Sequence, residues 1–152
     1  MEWQDIEKAL EAMAITIRED YDPDLIIGIS RGGLIPAVRL SHLLNNCRMR
    51  VIHVKYYKNV NETREEPEVF WSDIGDLEGK VLIVDDVADT GDTLKVVTDH
   101  LEDKLDGDMK VCTVVYKPSS KVEPDYYVYE MEKWVVFPWE EAPVETKTKK
   151  SS

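Results

Sequence analysis

Two acids, a loop of small residues and a helix start carry the strongest chemical signal in this chain. Val81-Leu82-Ile83-Val84 runs into Asp85-Asp86, then Val87-Ala88, then Asp89-Thr90-Gly91-Asp92-Thr93. A loop that feeds a helix N-terminus offers free N–H groups and a positive dipole end to an anion. Thr90 and Thr93 add hydroxyl donors, and Gly91 lets backbone approach closely. That set suits a terminal phosphate monoester. Asp85 and Asp86 would repel a bare phosphate, so they make sense facing hydroxyl groups or a divalent cation on the same ligand. A sugar bearing both a phosphate and a diol fits. Two other readings share parts of the pattern. A phosphoaspartate receiver also has acids after a strand. Alternatively, Asp89 or Thr90 caps the helix while the acids are merely solvated. The GxxxxGKS/T phosphate loop is absent.

These residues need elements to hold them. Trp3, Ile6, Leu10, Met13 and Ile17 recur at spacings of three and four, which predicts an amphipathic helix over 3–18. Asp22-Pro23-Asp24 ends it. Leu25-Ile26-Ile27-Gly28-Ile29 predicts a buried parallel strand. Ser30-Arg31-Gly32-Gly33 is a turn, and 34–44 reads as a helix with Pro36 in its first turn. A second strand is expected over 51–56. Residues 57–68 are almost wholly polar, which predicts a functional or mobile loop, or more blandly a solvated hairpin tip. A polar turn over 76–80 leads to a third strand, Val81 to Val84, ending on Asp85-Asp86. A helix over 94–101 and a fourth strand over 111–116 follow, closed by Lys117-Pro118. Residues 126–129 and 134–137 are short extended pieces, and 145–152 a frayed polar tail. Strands alternating with helices predict an α/β fold, a largely parallel twisted sheet with flanking helices. Ligands of such sheets sit beyond the C-terminal strand ends, where loops 30–33 and 85–93 both leave.

Composition narrows the class. The chain has 152 residues, 43% hydrophobic and 33% charged, which fits one ordinary domain with a real core. No run of eighteen apolar residues or signal-peptide pattern is visible, which predicts a soluble, cytoplasmic protein that neither spans nor enters a membrane. Isolated Cys47 and Cys112 exclude a disulfide framework and are expected as small core residues. A net charge of -12 argues against nucleic-acid or anionic-membrane partners, but not against a phosphate ligand held by backbone N–H groups and a metal.

Residues 81–93 resemble the phosphoribosyl-pyrophosphate (PRPP) loop of the type I phosphoribosyltransferases. Ile29-Ser30-Arg31-Gly32-Gly33-Leu34-Ile35-Pro36 resembles the pyrophosphate loop of their xanthine–guanine and hypoxanthine–guanine members. Lys117-Pro118 and Trp134-Val135-Val136-Phe137-Pro138-Trp139-Glu140 are similar to the base-binding segment. The similarity is collinear over roughly 25 to 140, and the short archaeal-type purine enzymes look most alike. Two positions depart from the common pattern. Asp92 stands where many members have Gly or Lys, and Asp85-Asp86 where others have Glu-Asp.

The resemblance implies the type I fold with a small C-terminal hood: one domain over 1–144, a core to about 116, a base-binding hood over about 117–140, and the tail. It implies transfer of ribose 5-phosphate from PRPP to a 6-oxopurine, with Mg²⁺ as cofactor, in purine salvage. Asp85 and Asp86 would hold the ribose hydroxyls, directly or through Mg²⁺. Asp89, Thr90, Gly91, Asp92 and Thr93 would hold the 5-phosphate, and Asp89 would also act at purine N7. Ser30, Arg31, Gly32 and Gly33 would bind pyrophosphate, with a non-proline cis peptide at Ser30–Arg31. Residues 57–67 match a lid, with Arg64 as its cation. Lys117 would meet the 6-oxo group, Trp134 would stack on the base and Val135 would read its 2-position edge. Taken alone, Lys117 reads as a surface lysine and Trp134 as a core tryptophan. His42, His53 and His100 receive no role, and Tyr56, Tyr57, Tyr126, Tyr127 and Tyr129 read as core or interface aromatics. A homo-oligomer, dimer or tetramer, is expected. The competing reading on the same fold is a non-catalytic PRPP-binding regulator.

Overall fold

The computed structural model describes residues 1–58, 65–72, 74–141 and 144. In chain order the elements are α1 (Trp3–Asp20), β1 (Leu25–Ser30), α2 (Leu34–Leu43), β2 (Arg48–Tyr57), β3 (Glu66–Ser72), β4 (Leu77–Ala88), α3 (Asp92–Glu102), β5 (Leu105–Tyr116) and β6 (Tyr129–Glu130). A 3₁₀ turn follows over Pro138–Glu140. The six strands form one sheet in the order β3-β2-β1-β4-β5-β6. All neighbours are parallel except β2 and β3.

Alternation along the central strands builds two cores, because successive strand side chains leave opposite faces. Ile26, Leu82, Val84, Cys112 and Val114 face α1 and α2, where Ile6, Leu10, Met13, Ile17, Ala37 and Leu40 close over them. Ile27, Ile29, Val81, Ile83 and Val111 point the other way, onto Leu94, Val97 and Leu101 of α3. Each fully buried Leu, Ile or Val contributes about 1.5–3 kcal/mol relative to exposure. The central strands are therefore a rigid base, and β1 and β4 leave it side by side with Gly28 level with Val84. Among the described residues no helix is long and apolar enough to cross a membrane.

Several expectations need correction. The polar stretch 57–68 is partly strand: Tyr57 ends β2, and Glu66-Pro67-Glu68 opens β3. β3 pairs only with β2, and such an edge tolerates both charges and a proline that lacks an N–H. Residues 59–64, with Arg64, lie outside the described residues, as does the tail over 145–152. The expected turn at 76–80 is instead largely the first part of β4, and β5 begins at Leu105. Leu77 to Lys80 pairs with Leu105 to Asp108, ahead of Leu25↔Val81 where β1 joins, so this ribbon bears polar residues. Of the extended pieces near the C-terminus, only Tyr129–Glu130 is a strand; Tyr126 makes a lone bridge to Cys112. Trp3 does not join the core face of α1: it is exposed, with its ring 5.9 Å from that of Trp139. Cys112 is fully buried, which pushes its thiol up to about 12, whereas Cys47 is half-buried and turned to the Pro23 carbonyl.

Candidate active site

β1 delivers the first loop. The Ser30–Arg31 peptide is cis, as the resemblance implied. The Gly33 N–H then donates to the Ile29 carbonyl at 2.9 Å, and α2 starts. A Cβ on Gly33 would stand 2.6 Å from the carbonyl oxygens of both Ile29 and Val84, so only glycine lets this turn rest on β4. Arg31 is exposed, and Ser30 Oγ lies 2.8 Å from His53 Nδ1 on β2. His53, given no role from its spacing, thus supports this loop from the neighbouring strand.

β4 delivers the acids. Asp85 is 8% exposed, and its Oδ1 accepts the Asp86 N–H at 2.9 Å; Asp86 Oδ1 accepts the Val87 N–H at 2.8 Å. Burial holds the Asp85 carboxyl well above the usual carboxylate range, and the charge of Asp86 beside it pushes the same way. Burial raises Asp86 as well, and Glu140 adds to it. Two crowded carboxyls aimed at a cleft are stabilised by a cation or by hydroxyl donors. Their hard oxygens suit Mg²⁺, which takes one or two protein carboxylates and completes its shell with water and substrate phosphate. Among the described residues no three His, Cys, Asp or Glu side chains converge on one point.

The second loop leads into α3. Gly91 takes φ +86°, and Thr90 Oγ1 accepts the Asp92 N–H at 3.2 Å. Thr93 Oγ1 lies 2.5 Å from the Tyr56 hydroxyl. Tyr56, expected as a core or interface aromatic, is thus a member of the site. It is 37 residues away from Thr93 in sequence, and no local pattern joins the two. The segment after β5 wraps this loop: Lys117 N–H donates to the Ala88 carbonyl at 2.9 Å, and Lys121 N–H to the Thr90 carbonyl at 2.8 Å. Lys117 Nζ reaches Asp89 Oδ1 at 3.2 Å, and Lys121 Nζ reaches Asp92 Oδ1 at 2.6 Å. Lys121 carries no motif, and sequence reasoning missed it.

Lys117 and Trp134 stand opposite to what each suggests taken alone. Lys117 is 9% exposed, not a surface lysine, and Trp134 is 76% exposed, not a core tryptophan. The Lys117 ammonium lies 5.3 Å from the centre of the Trp134 ring. A cleft of about 430 Å³ gathers Asp85, Asp86, Asp89, Thr90, Gly91, Asp92 and Thr93 with Tyr56 and Glu65. A second, of about 660 Å³, joins Arg31 and Gly32 to Trp139, Glu140 and Glu141. Asp86 lines both, so the two loops share a wall. Lys117 and Trp134 connect to the first cleft through Asp89. Val135 is not brought into either; it lines a separate groove with Met1, Tyr129, Met131 and Trp134.

The largely parallel sheet thus carries, at the adjacent ends of β1 and β4, a glycine turn, an acid pair and a hydroxyl-rich helix-start loop, the place where α/β proteins of this class bind a ligand. Residues 1–147 match the phosphoribosyl transferase domain family, and the chain belongs to that family of enzymes. A purine phosphoribosyltransferase of Pyrococcus horikoshii is similar in structure, with a TM-score of 0.86 and 47% identity over 97% of this chain and 96% of that one. The xanthine-guanine phosphoribosyltransferase of Gluconobacter oxydans is 33% identical over 93% of this chain and 84% of its own length. That of Cereibacter sphaeroides is also 33% identical, over 92% and 85%.

Proposed function

We propose that this chain transfers the ribose 5-phosphate group of PRPP to a 6-oxopurine, releasing pyrophosphate, in purine salvage. The observation that carries this is the contact between Lys117 and Asp89. It brings a nearly buried donor from the base-binding segment to the loop that suits the 5-phosphate. The names borne by the relatives, purine and xanthine-guanine phosphoribosyltransferase, support the same substrate class. Backbone N–H groups of 89–93 and the hydroxyls of Thr90 and Thr93 hold the 5-phosphate at the start of α3. Asp85 and Asp86 hold the ribose hydroxyls and would hold Mg²⁺, which when bound would supply positive charge to offset that of the pyrophosphate group. Arg31 with the Gly32-Gly33 backbone binds that pyrophosphate across the shared wall. Asp89 takes or stabilises the proton at purine N7. Lys117 donates to the 6-oxo oxygen and the exposed face of Trp134 stacks on the base; the Val135 backbone, in the separate groove that it lines beside Trp134, would read the 2-position edge where the base extends past that ring.

We infer the cytoplasm as the compartment of this reaction, in keeping with the isolated cysteines Cys47 and Cys112. The working form is a homo-oligomer, dimer or tetramer; exposed Trp3, Phe70 and Trp71 supply apolar surface for such contacts.

The test is pyrophosphate release from PRPP and Mg²⁺ with hypoxanthine, guanine, xanthine or adenine. Lys117 holds only donors, so a 6-oxo acceptor pairs with it while the amino group of adenine does not. Turnover is expected with at least one 6-oxopurine and little with adenine, and Lys117→Ala should narrow that gap. Efficient adenine turnover by the unaltered protein would sink both the substrate class and the role of Lys117.

A further inference from the structure

β2 runs past the end of β1: their last residue pair is Ser30↔His53, and Val54 to Tyr57 continue beyond it. Ile52 and Val54, two residues apart, both pack into the core beneath α3. Tyr56 is the next residue on that face, because successive strand side chains alternate. It overshoots the core and arrives at the first turn of α3. There its hydroxyl lies 2.5 Å from Thr93 Oγ1, in the cleft that gathers the phosphate loop. Tyr56 is 48% exposed, so core packing does not account for a tyrosine at this place. The chemistry of the two hydroxyls does. Each has one proton to donate and two acceptor sites. A phosphate dianion only accepts, so a Thr93 that serves it turns its proton to the ligand. The Thr93 oxygen is then open to a donor, and the Tyr56 phenol stands within reach to supply one. Hydrogen bonds linked in this way polarise and strengthen one another.

We propose that Tyr56 is a positioning residue for the 5-phosphate of PRPP: it donates to Thr93 Oγ1 and so directs the Thr93 proton to the ligand. The inference rests on the reading of 89–93 as the 5-phosphate loop. It makes phosphate recognition depend on β2, which β1 separates from β4 in the sheet.

The test is steady-state kinetics of the full chain at saturating 6-oxopurine, with PRPP varied. Tyr56→Phe keeps the ring and removes the hydroxyl. It should raise the KM for PRPP about three- to tenfold, the scale of one hydrogen bond, with the effect in KM far more than in kcat. Inhibition by the 5-monophosphate of the same base should weaken by a similar factor. Inhibition by pyrophosphate, which lacks the sugar phosphate, should hold. Adding Tyr56→Phe to Thr93→Val should change KM little further, because the tyrosine acts through that hydroxyl. An unchanged PRPP KM in Tyr56→Phe, a fall confined to kcat, equal weakening of nucleotide and pyrophosphate inhibition, or factors that multiply in the double variant overturns the proposal. Thr93→Val separates the two levels. If it raises the PRPP KM while Tyr56→Phe does not, only the role of Tyr56 fails. If Thr93→Val leaves the KM unchanged, the phosphate-loop reading fails and takes this proposal with it.

Discussion

An ammonium that is nearly buried is costly without a partner, and Lys117 meets that demand with Asp89 at 3.2 Å. The pair places a donor and an acceptor within one short reach, as a base with a 6-oxo group and a neighbouring N7 requires. Asp89 is half-exposed, so its carboxylate is open to a ligand as well as to Lys117. Asp89→Asn keeps the shape of the loop but removes the proton acceptor. We expect turnover to fall by about 10²–10⁴, the usual span for loss of a general base, with a much smaller change in the KM for PRPP. Steady-state kinetics with PRPP and base varied separately check this, and near-normal turnover would remove Asp89 from the mechanism.

The elements meet most tightly where the loop before α3 touches the segment after β5. Gly91 has φ +86°, which L side chains rarely adopt. A Cβ there would lie 2.7 Å from Ser120 Oγ and 2.8 Å from the backbone nitrogens of Lys121 and Val122. Two of those three atoms are main chain and cannot swing away. Gly91→Ala should therefore cost about 1–3 kcal/mol of stability from the backbone conformation alone, and it should weaken PRPP binding by displacing the loop. Urea unfolding and PRPP titration read the two effects. An alanine variant with unaltered midpoint and affinity would show that the segment over 117–122 does not brace the loop. The C-terminal segment is held by apolar contacts instead: Phe137 is buried in the α1–α2 core and stacks on Trp139 at 4.7 Å. That anchor leaves Trp134, three residues earlier, free to face solvent and a ligand.

On the scale of the whole molecule, two loops leave adjacent strands and their clefts share Asp86, so a ligand and metal bound there as proposed should stabilise the protein together. Anything that binds only the native state raises its stability by mass action, about 2.7 kcal/mol at a hundredfold excess over Kd. For a chain of this size that is about 5–10 °C in Tm. PRPP with Mg²⁺ should reach this range, and PRPP without metal should shift Tm much less, because Asp85 and Asp86 then face the ligand uncompensated. Thermal unfolding followed by circular dichroism measures both; equal shifts would contradict a shared role for the acid pair and the metal.

How much of this was legible in the amino-acid order follows from where each signal resides. The central strands and α1 to α3 were, because apolar runs and three-to-four spacing report which faces are buried. Loops 30–33 and 85–93 were too, since glycines, hydroxyls and acids bunched at strand ends have a local cause. β3 was not, since Glu66-Pro67-Glu68 looks like a loop until one knows that it lies at a sheet edge. Nor were the beginnings of β4 and β5, whose polar residues are tolerated because each pairs with the other beyond the core. Tyr56 on Thr93, His53 on Ser30 and Lys121 on Asp92 join residues 37, 23 and 29 positions apart. Only tertiary folding decides such contacts, because a single side chain carries no periodicity to announce its partner. The same holds for Lys117 and Trp134. The sequence by itself determined that a lysine and an aromatic follow the last long strand. Only the closed structure decided which of them is buried, by drawing Lys117 under the loop and leaving the Trp134 ring outside.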